Sequence, residues 1–126
     1  MRILQESILV IILVSLVVVL VSCSRVAEKY GQEISSRQIT QIKDILSNPK
    51  PYENKLVTID GKIDNECQTG CWFYVKVAHG NTVIYVDIGK SGLAIPQYAG
   101  RRVLVEGTVI IKETGPIIQG RGVEIP

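Results

Sequence analysis

A mainly β domain, five short strands curled into a partly open barrel with one short N-terminal helix, is predicted by three features of this chain. Apolar and polar residues alternate in five separate runs after residue 54. Two of those runs, Lys55–Ile63 and Arg101–Val109, align without gaps and place Gly61 on Gly107, as if two strands shared one bend. Ahead of the domain stands a hydrophobic signal or anchor helix. The 126 residues, 46% apolar with a net charge of +2, allow one domain and argue against both disorder and a strongly basic nucleic-acid binder.

From Ser7 to Ser22 the chain is almost wholly Ile, Leu and Val, with no charge after Glu6. As a helix, about 16 residues at roughly 1.5 Å each reach about 24 Å, short of a hydrocarbon core of roughly 30 Å. That length suits a signal-peptide core better than a permanent span. The run ends Leu20-Val21-Ser22-Cys23, which resembles the lipobox of exported lipoproteins. The resemblance implies a signal peptide over 1–22, a lipid on Cys23, and a domain held at the cell membrane facing the periplasm or exterior. Residues 23–36 are polar and mixed in charge and read as a tether, leaving 37–126 as the domain.

Ile39, Ile42, Ile45 and Leu46 fall on one side of a short helix, with Thr40 as its expected N-cap and Asn48-Pro49 as its stop. Val57, Ile59 and Ile63 then share one strand face with Gly61, opposite Thr58, Asp60 and Lys62. Trp72–Ala78 and Thr82–Asp87 form a hairpin around His79-Gly80-Asn81. Gly89–Gly100 is irregular, and Pro116–Ile125 supplies the last strand. Curling so small a sheet needs kinks, and the paired glycines provide them.

Between the first two barrel strands lies Cys67-Gln68-Thr69-Gly70-Cys71-Trp72. With the strand pattern around it, this segment resembles the exported oligonucleotide/oligosaccharide-binding (OB) fold proteins that carry a Cys-x-x-x-Cys-Trp loop, over roughly Ile39–Ile125. The resemblance departs where a helix usually joins the third and fourth strands, because Lys90–Gly100 is too short and broken to form one. It implies a ligand bound on the face of Trp72–Ala78 and Thr82–Asp87, flanked by the loops between strands one and two and between strands four and five, without saying which ligand.

Alternation predicts that Phe73, Val75 and Val77 point inward, so Trp72, Tyr74 and Lys76 point outward with Tyr85 beside them. This face is the expected binding surface, by stacking of bases or sugar rings; sealing of the barrel by the same aromatic residues is the alternative. Arg101, Arg102, Lys112 and Arg121 offer a basic rim or merely solvated charges. The small net charge argues against strong nucleic-acid binding. An envelope protein is the other expected class of partner.

Cys67 and Cys71 admit a structural disulfide, the leading expectation, or a metal or redox pair. The one histidine, His79, stands about 26 Å along the strand from Cys71 and cannot complete a site with them. Two thiolates alone would favour Cu(I), so copper or thiol-redox handling in the cell envelope is the alternative function. Otherwise no cofactor is expected. No phosphate loop, Ser-His-Asp set or His-rich motif is present, so an enzyme is not expected.

Overall fold

The computed structural model describes residues 1–22 and 26–126. Arg2–Ser22 forms helix α1, exposed throughout the stretch 2–17. Among the described residues, no helix is long and apolar enough to cross a membrane. Cys23 lies outside the described residues.

Six strands follow: β1 (Glu28–Gly31), β2 (Leu56–Glu66), β3 (Trp72–Lys76), β4 (Val83–Asp87), β5 (Arg102–Lys112) and β6 (Gly115–Ile125). They are hydrogen-bonded in the order β1-β6-β4-β3-β2-β5, and β5 returns to pair with β6. Strands β2 to β6 therefore close a five-membered ring, antiparallel throughout except where β4 runs parallel to β6. The five strands expected from the sequence are all present, and the ring is the expected mainly β, OB-like fold.

Closure explains the glycines. Strand β2 pairs with β5 from Leu56 to Lys62 and with β3 from Lys62 onward, so it changes neighbours at Gly61-Lys62. A Cβ at Gly61 would collide with the Lys76 carbonyl, and one at Gly107 with the Gln119 carbonyl. Each strand bends where the next crosses close to its backbone, which only glycine permits. The inward side chains of both, Val57, Ile59, Ile63, Val103, Val105 and Val109, join Phe73, Val75, Ile84, Val86 and Ile118 in one core.

Helix α2 (Ile42–Ser47) buries Ile42 and Ile45 in that core, as their spacing predicts. Thr40 is not its cap. Gln41 holds the N-cap position, and Thr40 instead donates its backbone N–H to the Thr58 carbonyl, 2.8 Å away, tying the helix entrance to β2.

The segment expected as a tether is partly structured. Strand β1 pairs antiparallel with the end of β6, Glu28 opposite Ile125 and Gly31 opposite Gly122. Ser35, Ser36 and Arg37 continue over the outside of the ring and bind its buried polar groups. The physical reason is a strand-end edge left unpaired by the ring, together with the carboxylates Glu106 and Glu124 facing outward beneath this segment. Between β4 and β5, Lys90–Gly100 forms no α-helix; a 3-10 turn at Gly89–Ser91 precedes irregular chain whose Ile95 is buried in the core.

Candidate functional site

Strands β3 and β4 face solvent with the residues that alternation predicts. Tyr74 lies directly opposite Tyr85, and Trp72 opposite Asp87. The three rings pack together: Trp72 and Tyr85 have centroids 5.8 Å apart, Trp72 and Tyr74 6.0 Å, Tyr74 and Tyr85 5.4 Å. All three are half-buried, each ring partly covered by its neighbours and partly open to solvent. Burial, then the Asp87 charge, raise the Tyr85 pKa.

Beside the rings opens a cleft of about 390 Å³, lined by Tyr74 and Tyr85 from one wall and by Ile110, Lys112, Thr114, Ile117 and Gln119 of the β5–β6 hairpin from the other. Asp87 and Lys90 close its floor. The lining combines two aromatic rings and two isoleucines with charged and polar side chains. Lys76 stands apart from it. Its ammonium is 3.7 Å from the Asp64 carboxylate, on the far side of Tyr74, and it does not line the cleft.

Of the basic residues set aside as a rim, Arg102 forms a two-point pair with Asp60, Arg121 donates from two nitrogens to one oxygen of Glu106, and Arg101 sits over the Tyr98 ring. Lys112 alone of the four reaches the cleft. The β5–β6 hairpin flanks the face as the resemblance implies, but its individual wall residues carry no local mark: Ile110, Ile117 and Gln119 look like ordinary strand residues until β6 turns back on β5. His79 is an exposed residue of the β3–β4 turn.

The cysteine loop joins β2 to β3 and lies beside the Asp87–Lys90 end of the cleft. Cys67 donates its N–H to the Trp72 carbonyl, Gly70 donates to Cys67, and both Ile88 and Gly89 donate to Cys71. Gln97 fastens the loop from outside, its amide donating to the carbonyls of Cys67 and Gln68. Gly70, at φ +75, lies against the Ile95 backbone, where any Cβ would collide. The disulfide expected between Cys67 and Cys71 is not formed. Their sulfurs lie 3.6 Å apart, where a bond requires about 2.05 Å, and both thiols are free. The contacts just named fix the loop's shape without the covalent link.

Thr69 Oγ1 sits between the sulfurs, 3.0 Å from Cys67 and 3.5 Å from Cys71. Hydrogen bonds from the Thr69 side chain and backbone, then from Cys71, lower the Cys67 pKa to about 7. Among the described residues, no cluster of three or more His, Cys, Asp or Glu side chains is placed to hold a metal. Glu66, the nearest carboxylate in sequence, is occupied by the backbone N–H groups of Tyr98 and Ala99.

The sequence matches no protein-family profile and no curated protein. Solved structures share the fold. The hypothetical protein YgiW from E. coli superimposes with a TM-score of 0.53 at 20% identity, over 75% of this chain and 100% of that one. Asparaginyl-tRNA synthetase from Pyrococcus horikoshii, complexed with asparaginyl-adenylate, gives a TM-score of 0.53 at 15% identity, over 71% of this chain but 22% of the enzyme. Both are OB-like over the matched region, and with the ring order of β2 to β6 they establish an OB-like fold for this chain.

Proposed function

We propose that the chain is a binding module rather than an enzyme, tethered by a lipid on Cys23 to the outer side of the cell membrane, and that it takes its ligand in the cleft between the Tyr74–Tyr85 face and the β5–β6 hairpin. The observation that carries this reading is the packed trio Trp72, Tyr74 and Tyr85, of which the two tyrosines line an open cleft of about 390 Å³. Three mutually packed but half-exposed rings are costly to leave in water and offer aromatic surface to a flat ring. The OB-like fold supports recognition as its role. The cleft's own charges are Asp87, Lys90 and Lys112, too nearly balanced to hold a polyanion by its backbone. A near-neutral ligand with exposed ring faces, such as an oligosaccharide, fits better than a long nucleic acid.

Trp72 is the sole tryptophan, so its emission reports on this face directly. Full-length protein in detergent micelles, titrated with a β-linked glucosamine oligosaccharide and with a single-stranded oligodeoxynucleotide, is expected to show saturable quenching by the sugar. Tyr85→Ala should weaken that binding at least fivefold, since one stacked ring contributes about 1 kcal/mol or more. Quenching by neither probe, or equal affinity in the variant, refutes the assignment of the cleft. The tether has a separate test. Cys23→Ala should abolish incorporation of labelled fatty acid and shift the protein out of the detergent phase on cloud-point separation; undiminished labelling removes the lipid anchor.

A further inference from the structure

The loop between β2 and β3 holds two half-buried thiols with their sulfurs 3.6 Å apart and unbonded. That separation is close to the 3–3.5 Å at which reacting atoms are poised for attack. The loop around them is braced by Gln97, by the Gly70–Ile95 contact and by two N–H groups on the Cys71 carbonyl. Bond formation therefore asks for a rotation of side chains and a small closing movement, with the backbone already folded back on itself. The two sulfurs are also unequal. Cys71 donates its S–H to Cys67, and the Thr69 hydroxyl lies nearer to Cys67. Negative charge is thus favoured on Cys67.

From this geometry we infer that Cys67 and Cys71 form a thiol–disulfide exchange site, with Cys67 as the attacking sulfur, Cys71 as the resolving sulfur and Thr69 as the residue that positions charge between them. The substrate class is a disulfide, R–S–S–R, of a small molecule or a peptide. The Cys67 thiolate attacks one substrate sulfur, forming a Cys67–S–S–R bond and expelling RS⁻, which takes up a proton. Cys71 then loses its proton, and its sulfur attacks Cys67 Sγ, closing the Cys67–Cys71 bond and expelling the second RS⁻. One disulfide is reduced to two thiols while the protein dithiol is oxidised by two electrons. The site stands independently of the ligand cleft, although Tyr85 lies near enough to feel charge on both sulfurs.

The rival use of two thiols, a soft-metal site, is weaker on the same observations. Two thiolates supply half of a tetrahedral set, and among the described residues no further metal-binding group converges on them. The lowered Cys67 pKa of about 7 serves exchange directly. At pH 7 about half of Cys67 would be thiolate against about 3% of an ordinary thiol, and after about fivefold lower intrinsic nucleophilicity the net advantage is roughly threefold.

Full-length protein carrying Cys23→Ser, in detergent micelles, is equilibrated with graded ratios of reduced and oxidised glutathione, quenched in acid, alkylated and mapped by mass spectrometry. The expected result is loss of both thiols together in one two-electron transition, without accumulating adducts. Cys71→Ser should trap a glutathione adduct on Cys67, and Thr69→Val should move the midpoint of the Cys67 alkylation rate upward from near pH 7. Near-ultraviolet circular dichroism reports whether each variant is folded. Alkylation rates of Cys67 and Cys71 compared within the Cys23→Ser protein give the order of reactivity even if the other variants misfold. Equal rates for the two sulfurs, adducts on both without an internal disulfide, or stoichiometric Cu(I) retention by a pair that never closes would each overturn the assignment.

Discussion

At the scale of single residues, Glu106 shows how this small ring tolerates a buried charge. Its carboxylate is 1% exposed on the outside of β5, and every lone pair has a use. One oxygen accepts from Arg121 Nε and Nη2 at 3.1 and 2.8 Å, the other from Ser35 N, Ser35 Oγ and Ser36 N at 2.8 to 3.2 Å. Burial pushes its pKa up, but these donors outweigh burial and hold it below the usual carboxylate range. Glu106→Ala would leave two backbone N–H groups and a guanidinium without their acceptor. A loss of about 3 kcal/mol is expected, somewhat less than for a wholly buried pair because Arg121 is partly in water. Urea denaturation of the variant measures it, and a loss below about 1 kcal/mol would contradict the role given to this network.

At the scale of elements, the legible parts are those where pattern and packing coincide. The period of two in Val57-Thr58-Ile59-Asp60 survives as an inward and an outward face, and Gly61 and Gly107 match because both sit where another strand's backbone passes. Trp72, Tyr74 and Tyr85 were equally readable, since neighbouring strands with alternating side chains must bring such rings together. What eluded the sequence depends on distant partners. Glu28-Lys29-Tyr30-Gly31 has the polarity of a spacer and becomes strand β1 only because the end of β6 offers it an edge. Thr40 has the chemistry of a cap, but its N–H is claimed by β2 before α2 begins. Lys76 shares the parity of Tyr74 and yet misses the cleft, because alternation fixes the face of a residue and not its distance along the strand. The state of the cysteine pair was not legible for a related reason: its spacing allows a disulfide, while the bonds that shape the loop around two thiols 3.6 Å apart come from Gln97 and Ile95, remote in sequence.

At the scale of the whole molecule, acid is the expected weakness. Glu124 repeats the pattern of Glu106: its pKa is lowered, first by the hydrogen-bonded pair with Arg37, against the opposing effect of burial. A carboxylate with a folded pKa below its unfolded value of about 4.3 stabilises fully above that value and loses its contribution as pH falls through the folded pKa. Stability should therefore be flat near neutrality and drop below about pH 4. Thermal melts from pH 7 to pH 2 follow this, and the drop should shrink in Glu106→Gln. A melting temperature independent of pH over that interval would show that neither carboxylate matters to the fold.

Both acids act on the same stretch of chain, the one leading from the hydrophobic helix into the ring, and β1 zips that stretch to β6 from Glu28 onward. Five residue steps separate Cys23 from Glu28, at most about 18 Å of extended polypeptide. With a lipid on Cys23, so short a leash would keep the domain close against the bilayer with limited freedom to turn. Its mouth would sample the layer next to the headgroups, and molecules arriving there would meet it before those diffusing farther out.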